Sequence, residues 1–292
     1  MNFVIVAYWR TGSTQLVHLL NGHSGILCNG ELFMHGETRL PVEWNKEDKV
    51  RDGDAMRALR KSDPMAFLAK IYERNYGGKS VGFKIFPGHN DAILDFLLSD
   101  ISVRKIVLYR RNLLANYSSF MIARQTKSHK QTSRDSVAEE RPRVNFRARH
   151  FKRHCTRYLS YYRSVFERLN ASRQTFHLVD YDEINDPWHF ARLVAFIGEE
   201  PPREQPKTKL LKQNPSDILS RFSNPDEVAE FLSEYNLTGW RYEPPTSLDP
   251  FGEAGAGGAE ADDAESDDAE RDDGDPAVAP ERSPGKFSAL LP

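Results

Sequence analysis

Four short runs of β-branched and aromatic residues recur along the chain: Phe3-Val4-Ile5-Val6-Ala7-Tyr8, Ser80-Val81-Gly82-Phe83-Lys84-Ile85-Phe86, Arg104-Lys105-Ile106-Val107-Leu108-Tyr109 and Thr175-Phe176-His177-Leu178-Val179. They are apolar over most consecutive positions rather than at every second one, as strands buried on both faces must be. Between and after them lie stretches with helical spacing, at 15–20, 91–98, 113–124, 146–169, 187–197 and 225–235. Strands that alternate with helices bury all their apolar faces in a parallel sheet covered on both sides. The pattern predicts an α/β fold, a three-layer sandwich around a central parallel sheet, carried by residues 1–250 as one domain.

The rest of the chain is a different object. Of its 292 residues, 42 are acidic and 40 are Lys or Arg, but 251–292 alone holds 12 acids and three bases. From 252 to 285 the only large apolar residue is Val278, too little to offset the entropy of ordering, so 251–292 is expected to be an acidic disordered tail. A second polar stretch, 127–144, interrupts the domain and reads as an exposed loop or a lid over a substrate. Two cysteines, Cys28 and Cys155, exclude a disulfide-stapled secreted fold. No apolar run reaches the roughly 18–20 residues that a membrane helix needs, and the N-terminus lacks the pattern of a signal peptide. The expected compartment is the cytoplasm.

The first strand ends in Tyr8-Trp9-Arg10-Thr11-Gly12-Ser13-Thr14, and a helix pattern follows at once. A glycine turn leading into a helix directs backbone N–H groups, two hydroxyls and the positive helix end at one spot, which suits a phosphate-like anion. A plain turn whose Ser or Thr caps the helix would have the same local sequence. The segment is not a nucleotide-triphosphate P-loop: the first Gly and the Lys before the hydroxyl pair are missing, and Arg10 precedes the Gly. Magnesium-assisted phosphoryl transfer is therefore disfavoured, and no metal is expected. At the third run, Tyr109-Arg110-Arg111 passes into a helix that carries Ser119 eight residues after Arg111. An arginine fork at a strand tip and a Ser two turns into the next helix are able to share one phosphate, at the sheet end where open α/β folds bind ligands.

Together the two segments resemble the sulfotransferases that use 3′-phosphoadenosine 5′-phosphosulfate (PAPS), whose 5′-phosphosulfate loop reads basic–Ser/Thr–Gly–Ser/Thr–Thr and whose 3′-phosphate motif is Arg with Ser eight residues on. The similarity is nearest to the bacterial carbohydrate sulfotransferases of the trehalose and nodulation-factor type. It implies a P-loop-like fold, PAPS as co-substrate and a small-molecule, glycan or glycolipid hydroxyl as acceptor. Arg10, Thr11, Gly12, Ser13 and Thr14 would hold the 5′-phosphosulfate, and Arg111 and Ser119 the 3′-phosphate. Arg10 would also steady the leaving oxygen. Lys84, an odd residue in so apolar a strand, matches a lysine that faces the same pocket in relatives. For the base, cytosolic members carry a His two residues after that lysine, where this chain has Phe86. The bacterial branch uses a Glu in a Glu-aromatic-Phe segment, matched here by Glu31-Leu32-Phe33 with Leu at the aromatic position. Glu31 is the expected base and His89 its rival, with Lys84 and Arg10 as the other catalytic groups.

Weaker features complete the reading. Residues 141–157 hold seven Lys or Arg interleaved with aromatics, but Phe151, Cys155, Tyr158, Tyr162, Phe166 and Leu169 form one apolar helical stripe, so no nucleic-acid partner is expected. Lys212 is a candidate for a late basic loop over the nucleotide. His18, His23, His35, His150 and His154 show no metal-ligand spacing. Two alternatives remain: a divergent P-loop kinase, and a non-catalytic nucleotide-binding protein.

Overall fold

The computed structural model describes residues 1–34, 46–73, 76–126, 142–208 and 214–243. His35, most of the polar stretch 127–144, Lys212 and the acidic tail lie outside the described residues. Five strands form one sheet: β1 (Asn2–Ala7), β2 (Ile26–Asn29), β3 (Ser80–Ile85), β4 (Val103–Tyr109) and β5 (Phe176–Asp180). Their order is β2-β3-β1-β4-β5, and every pair is parallel. β1 is therefore central, with the chain crossing first to one side and then to the other. In such sheets the crevice at the carboxyl ends of the strands, where the order reverses, is the natural ligand site.

Side-chain alternation on β1 divides the core in two. Val4, Val6 and Tyr8 face a cluster roofed by α3 (Pro64–Glu73), α4 (Asp91–Ser99), α5 (Leu113–Thr126) and α6 (Ala148–Ala171). Phe3, Ile5 and Ala7 face the opposite cluster, roofed by α1 (Ser13–Leu20) and α7 (Pro187–Ile197). The three predicted layers are thus present. α8 (Pro225–Glu234) adds Val228, Phe231 and Leu232 to the first cluster.

Local chemistry explains most boundaries. Asn90 caps α4 by accepting from the Ile93 N–H, and Asp186 caps α7 by accepting from the Trp188 and His189 N–H groups ahead of a proline at the first helical position. β2 was not predicted, because four residues at a sheet edge are too few to show a period. Asn21 secures it, its side chain donating to the Cys28 carbonyl and accepting from the Cys28 N–H, both at 2.7 Å. α2 (Lys46–Ser62) and α3 were likewise not anticipated. β5 runs one residue past the expected end, to Asp180, and α6 starts two residues later than expected. No helix among the described residues is long and apolar enough to cross a membrane.

Candidate active site

β1 stops at Ala7, and the chain turns through Tyr8–Gly12 before α1 begins at Ser13. Two positions in this turn are left-handed, Arg10 at φ 63° and Gly12 at φ 83°. At Gly12 space demands glycine as well, since a Cβ would stand 2.7 Å from the Tyr181 ring and 2.8 Å from the Ile184 methyl. The turn is wired from behind. The Tyr8 carbonyl accepts from the Thr11 hydroxyl at 2.7 Å, the Trp9 carbonyl from the Asn116 amide at 2.8 Å, and the Arg10 carbonyl from Arg110 Nη1 at 3.0 Å. Thr11 is therefore a buried brace of the turn. Gly12 gives α1 no side-chain cap, so the first-turn N–H groups lack the partner that a Ser or Asp would supply.

Three side chains from two other segments converge on the start of α1. Lys84 lies on the α1 side of β3 because its neighbours Phe83 and Ile85 point into the opposite core cluster. Its Nζ donates to Thr14 Oγ1 at 2.9 Å and to Ser13 Oγ at 3.4 Å, and stands 3.0 Å from Glu31 Oε1. Glu31 follows β2, fixed on one side by the Lys84 N–H donating to the Gly30 carbonyl at 3.3 Å. On the other side Leu32 and Phe33 are buried, with the Phe33 ring 5.5 Å from those of Phe67 and Phe83. His89 Nε2 lies 3.8 Å from Glu31 Oε2, while its Nδ1 accepts from the Phe86 N–H at 3.3 Å. Accepting at Nδ1 leaves the proton of a neutral ring on Nε2, directed at Glu31. Lys84 is 4% exposed and Glu31 14%, so the pair is largely shielded from solvent.

Arg10 leads from the turn to the second motif: its Nε donates to Ser119 Oγ at 2.9 Å. Arg111 takes a different partner, an ion pair with Asp180 at the tip of β5. The spacing suits Arg111 and Ser119 to share one phosphate; within the protein itself Arg111 pairs with Asp180 and Ser119 accepts from Arg10. Burial, and then the charge of Arg110, lower Arg10 to about 10. The charge of Arg110 acts on Arg10 in the direction opposite to a bound anion, which would raise it. Beside Arg111, burial pushes the Asp180 carboxyl up, and burial with the charges of Asp180 and Glu243 lifts Asp182 to about 6. Among the described residues no three His, Cys, Asp or Glu side chains are grouped to hold a metal ion.

Several participants were not singled out in the sequence. Arg110 stood beside the chosen Arg111, and Asp180 would have been noticed had β5 been extended one residue. Asn116, Tyr181 and Glu243 carry no local signal. Lys212, the candidate for a late basic loop, lies outside the described residues.

No protein-family model matches the chain. It is 32% identical to Nodulation protein H of Rhizobium tropici over 127 residues, which are 42% of this chain and 47% of that protein. With the two motifs in place, the similarity is to the sulfotransferases of the nodulation type. The matched stretch spans about half the length of that relative. The fold is also similar to a solved sulfotransferase from Alicyclobacillus acidocaldarius, at 17% identity over 81% of this chain and 93% of that one, with a TM-score of 0.39.

Proposed function

We propose that the chain is a sulfotransferase that moves a sulfuryl group from PAPS to a hydroxyl of a carbohydrate or glycolipid acceptor. One observation carries the reading: Lys84 Nζ touches the hydroxyls of the anion-binding turn and the Glu31 carboxylate at once. A single cation thus joins the place where a phosphosulfate would lie to the group that would receive the acceptor proton. The nodulation-type likeness supports the carbohydrate side of the proposal.

In the proposed reaction the acceptor oxygen forms a bond to sulfur while the bond from sulfur to the bridging phosphate oxygen breaks. The bond's electron pair leaves with adenosine 3′,5′-bisphosphate, and the acceptor proton passes to Glu31. Charge grows on the bridging oxygen and on the sulfuryl oxygens, where Arg10, Lys84 and the first-turn N–H groups of α1 are already fixed. Their placement before the reaction avoids the reorganisation that water would need. His89, with its Nε2 proton facing the carboxylate, orients Glu31. Arg111 and Ser119 take the 3′-phosphate, with Arg10 spanning the two halves through its bond to Ser119.

The test is a thermal-shift comparison of adenosine 3′,5′-bisphosphate with ADP and with ATP plus magnesium. The expected result is stabilisation by the bisphosphate above the other two, lost in Arg111→Ala. Equal stabilisation by all three nucleotides, or a preference for ATP with magnesium, overturns the proposal.

A further inference from the structure

Arg110 and Arg111 are consecutive, yet their side chains have different surroundings. Arg111 is partly exposed and pairs with Asp180, whereas Arg110 is buried and points back under the turn after β1. Its Nη1 donates to the Arg10 carbonyl at 3.0 Å, its Nη2 pairs with Glu243 Oε1, and its guanidinium lies 4.1 Å from the centre of the Tyr181 ring. That same ring packs against Gly12. Glu243 comes from the far end of the described chain and bridges a second buried cation, with its Oε2 3.0 Å from Arg221 Nη2. Arg221 in turn donates from Nε to the Pro215 carbonyl at 2.9 Å and from Nη1 to the hydroxyl of Ser118, the residue before Ser119, at 3.2 Å. Burial favours a neutral Glu243, but Arg110 and Arg221 more than offset it, so the carboxyl titrates below its usual range and stays charged.

We infer that Arg110 is a positioning residue of the anion-binding turn, held to its task by Glu243. Arg10 is a non-glycine residue in the left-handed region, a conformation that persists only where the surroundings over-determine it. The Arg110 bond to the Arg10 carbonyl fixes that peptide, and the peptide's orientation decides whether Arg10 Nε reaches Ser119. Releasing the carbonyl lets the peptide rotate, which withdraws Arg10 from the 5′ side of the ligand while Arg111 keeps its hold on the 3′ side. Glu243 holds the Arg110 guanidinium in register and balances two cations that would otherwise repel Arg10. The segment 214–243, far from the motifs in sequence, is thereby part of the donor site.

This inference rests on the proposed nucleotide, so its test separates the two. Calorimetry on the full chain would measure adenosine 3′,5′-bisphosphate and adenosine 3′-monophosphate with wild type, Arg110→Met, Arg110→Lys and Glu243→Gln. Loss of a charge-assisted hydrogen bond predicts that Arg110→Met weakens the bisphosphate about ten- to a hundredfold and leaves the monophosphate near wild type. Arg110→Lys is expected to recover part of the loss, and Glu243→Gln to weaken the bisphosphate in the same direction by less. If Arg110→Met does not fold, the lysine and glutamine variants carry the comparison. Equal weakening of both ligands indicates a structural role alone and overturns the inference, as does unchanged bisphosphate binding. A wild-type protein that binds neither ligand overturns the proposed function itself, and the inference with it.

Discussion

The two arginine-bearing ends of the candidate site, neighbours at the tips of β1 and β4, differ in their electrostatics. At the turn after β1, burial and then the charge of Arg110 drive Arg10 down to about 10. At the tip of β4 burial also pulls Arg111 down, but Asp180 and Tyr109 outweigh it, and the guanidinium ends above its ordinary value. In the proposed complex the 5′-phosphosulfate would meet a guanidinium beside a second cation, whereas the 3′-phosphate would share Arg111 with a carboxylate already in place. The lesson is that two arginines in two similar strand–helix junctions need not contribute alike.

The largest expected effect probes the reacting side. Glu31→Gln keeps the shape of the side chain but removes the proton acceptor, so turnover should fall about a hundred- to ten-thousandfold. Bisphosphate binding should stay near wild type, because the proposed reaction gives Glu31 the acceptor proton rather than a contact with the nucleotide. Steady-state rates beside calorimetry check this, and a matching loss of nucleotide affinity would place Glu31 in the binding half instead. Next comes Gly12→Ala, which forces a Cβ into the Tyr181 ring at a left-handed backbone position. It should cost more than about 1 kcal/mol of stability, read from denaturant unfolding, and should weaken bisphosphate binding as well. A variant as stable as wild type would show that the turn is less constrained than the contrast requires.

The smallest effect lies just after β5, within the field of Arg111, and has a defined sign. Asp182 is raised to about 6 by burial, then by Asp180 and Glu243, so its ionised form is disfavoured in the folded state. The protonated carboxyl carries no such penalty. Stability linked to this group is therefore greatest below its unfolded value near 4 and is lost as pH rises through about 6. Asp182→Asn should melt higher than wild type at pH 8, by about 1 kcal/mol or less because the group is partly solvated, and the gap should close by about pH 4. Thermal melts across that range would detect it. A gap that widens on acidification would mean that Asp182 gains more from Arg110 and Arg111 than it loses by burial.

Much of this architecture is readable from local pattern, and the exceptions have physical causes. β1, β3, β4 and the start of β5 announce themselves because strands buried on both faces need consecutive apolar residues. β2 does not, since its four residues are specified by Asn21 and by pairing with β3 rather than by a period of their own. The turn at Arg10–Thr14 and the pair Arg111 and Ser119 stand out because each follows a strand end at a fixed spacing. Their protein partners do not: packing places Ser119 with Arg10 and Arg111 with Asp180.

By itself, the amino-acid sequence determined the layering and the position of the glycine turn after β1. Both follow from short-range rules: the period of strands and helices and the freedom of glycine. Only the tertiary structure decided that Glu31 would meet Lys84, that Arg110 rather than Arg111 would hold the turn, and that Glu243 would lie beneath it. Those contacts join residues up to 133 positions apart. No periodicity encodes such a contact; it arises when the sheet order and helix packing bring distant segments together and leave buried charges to find their partners.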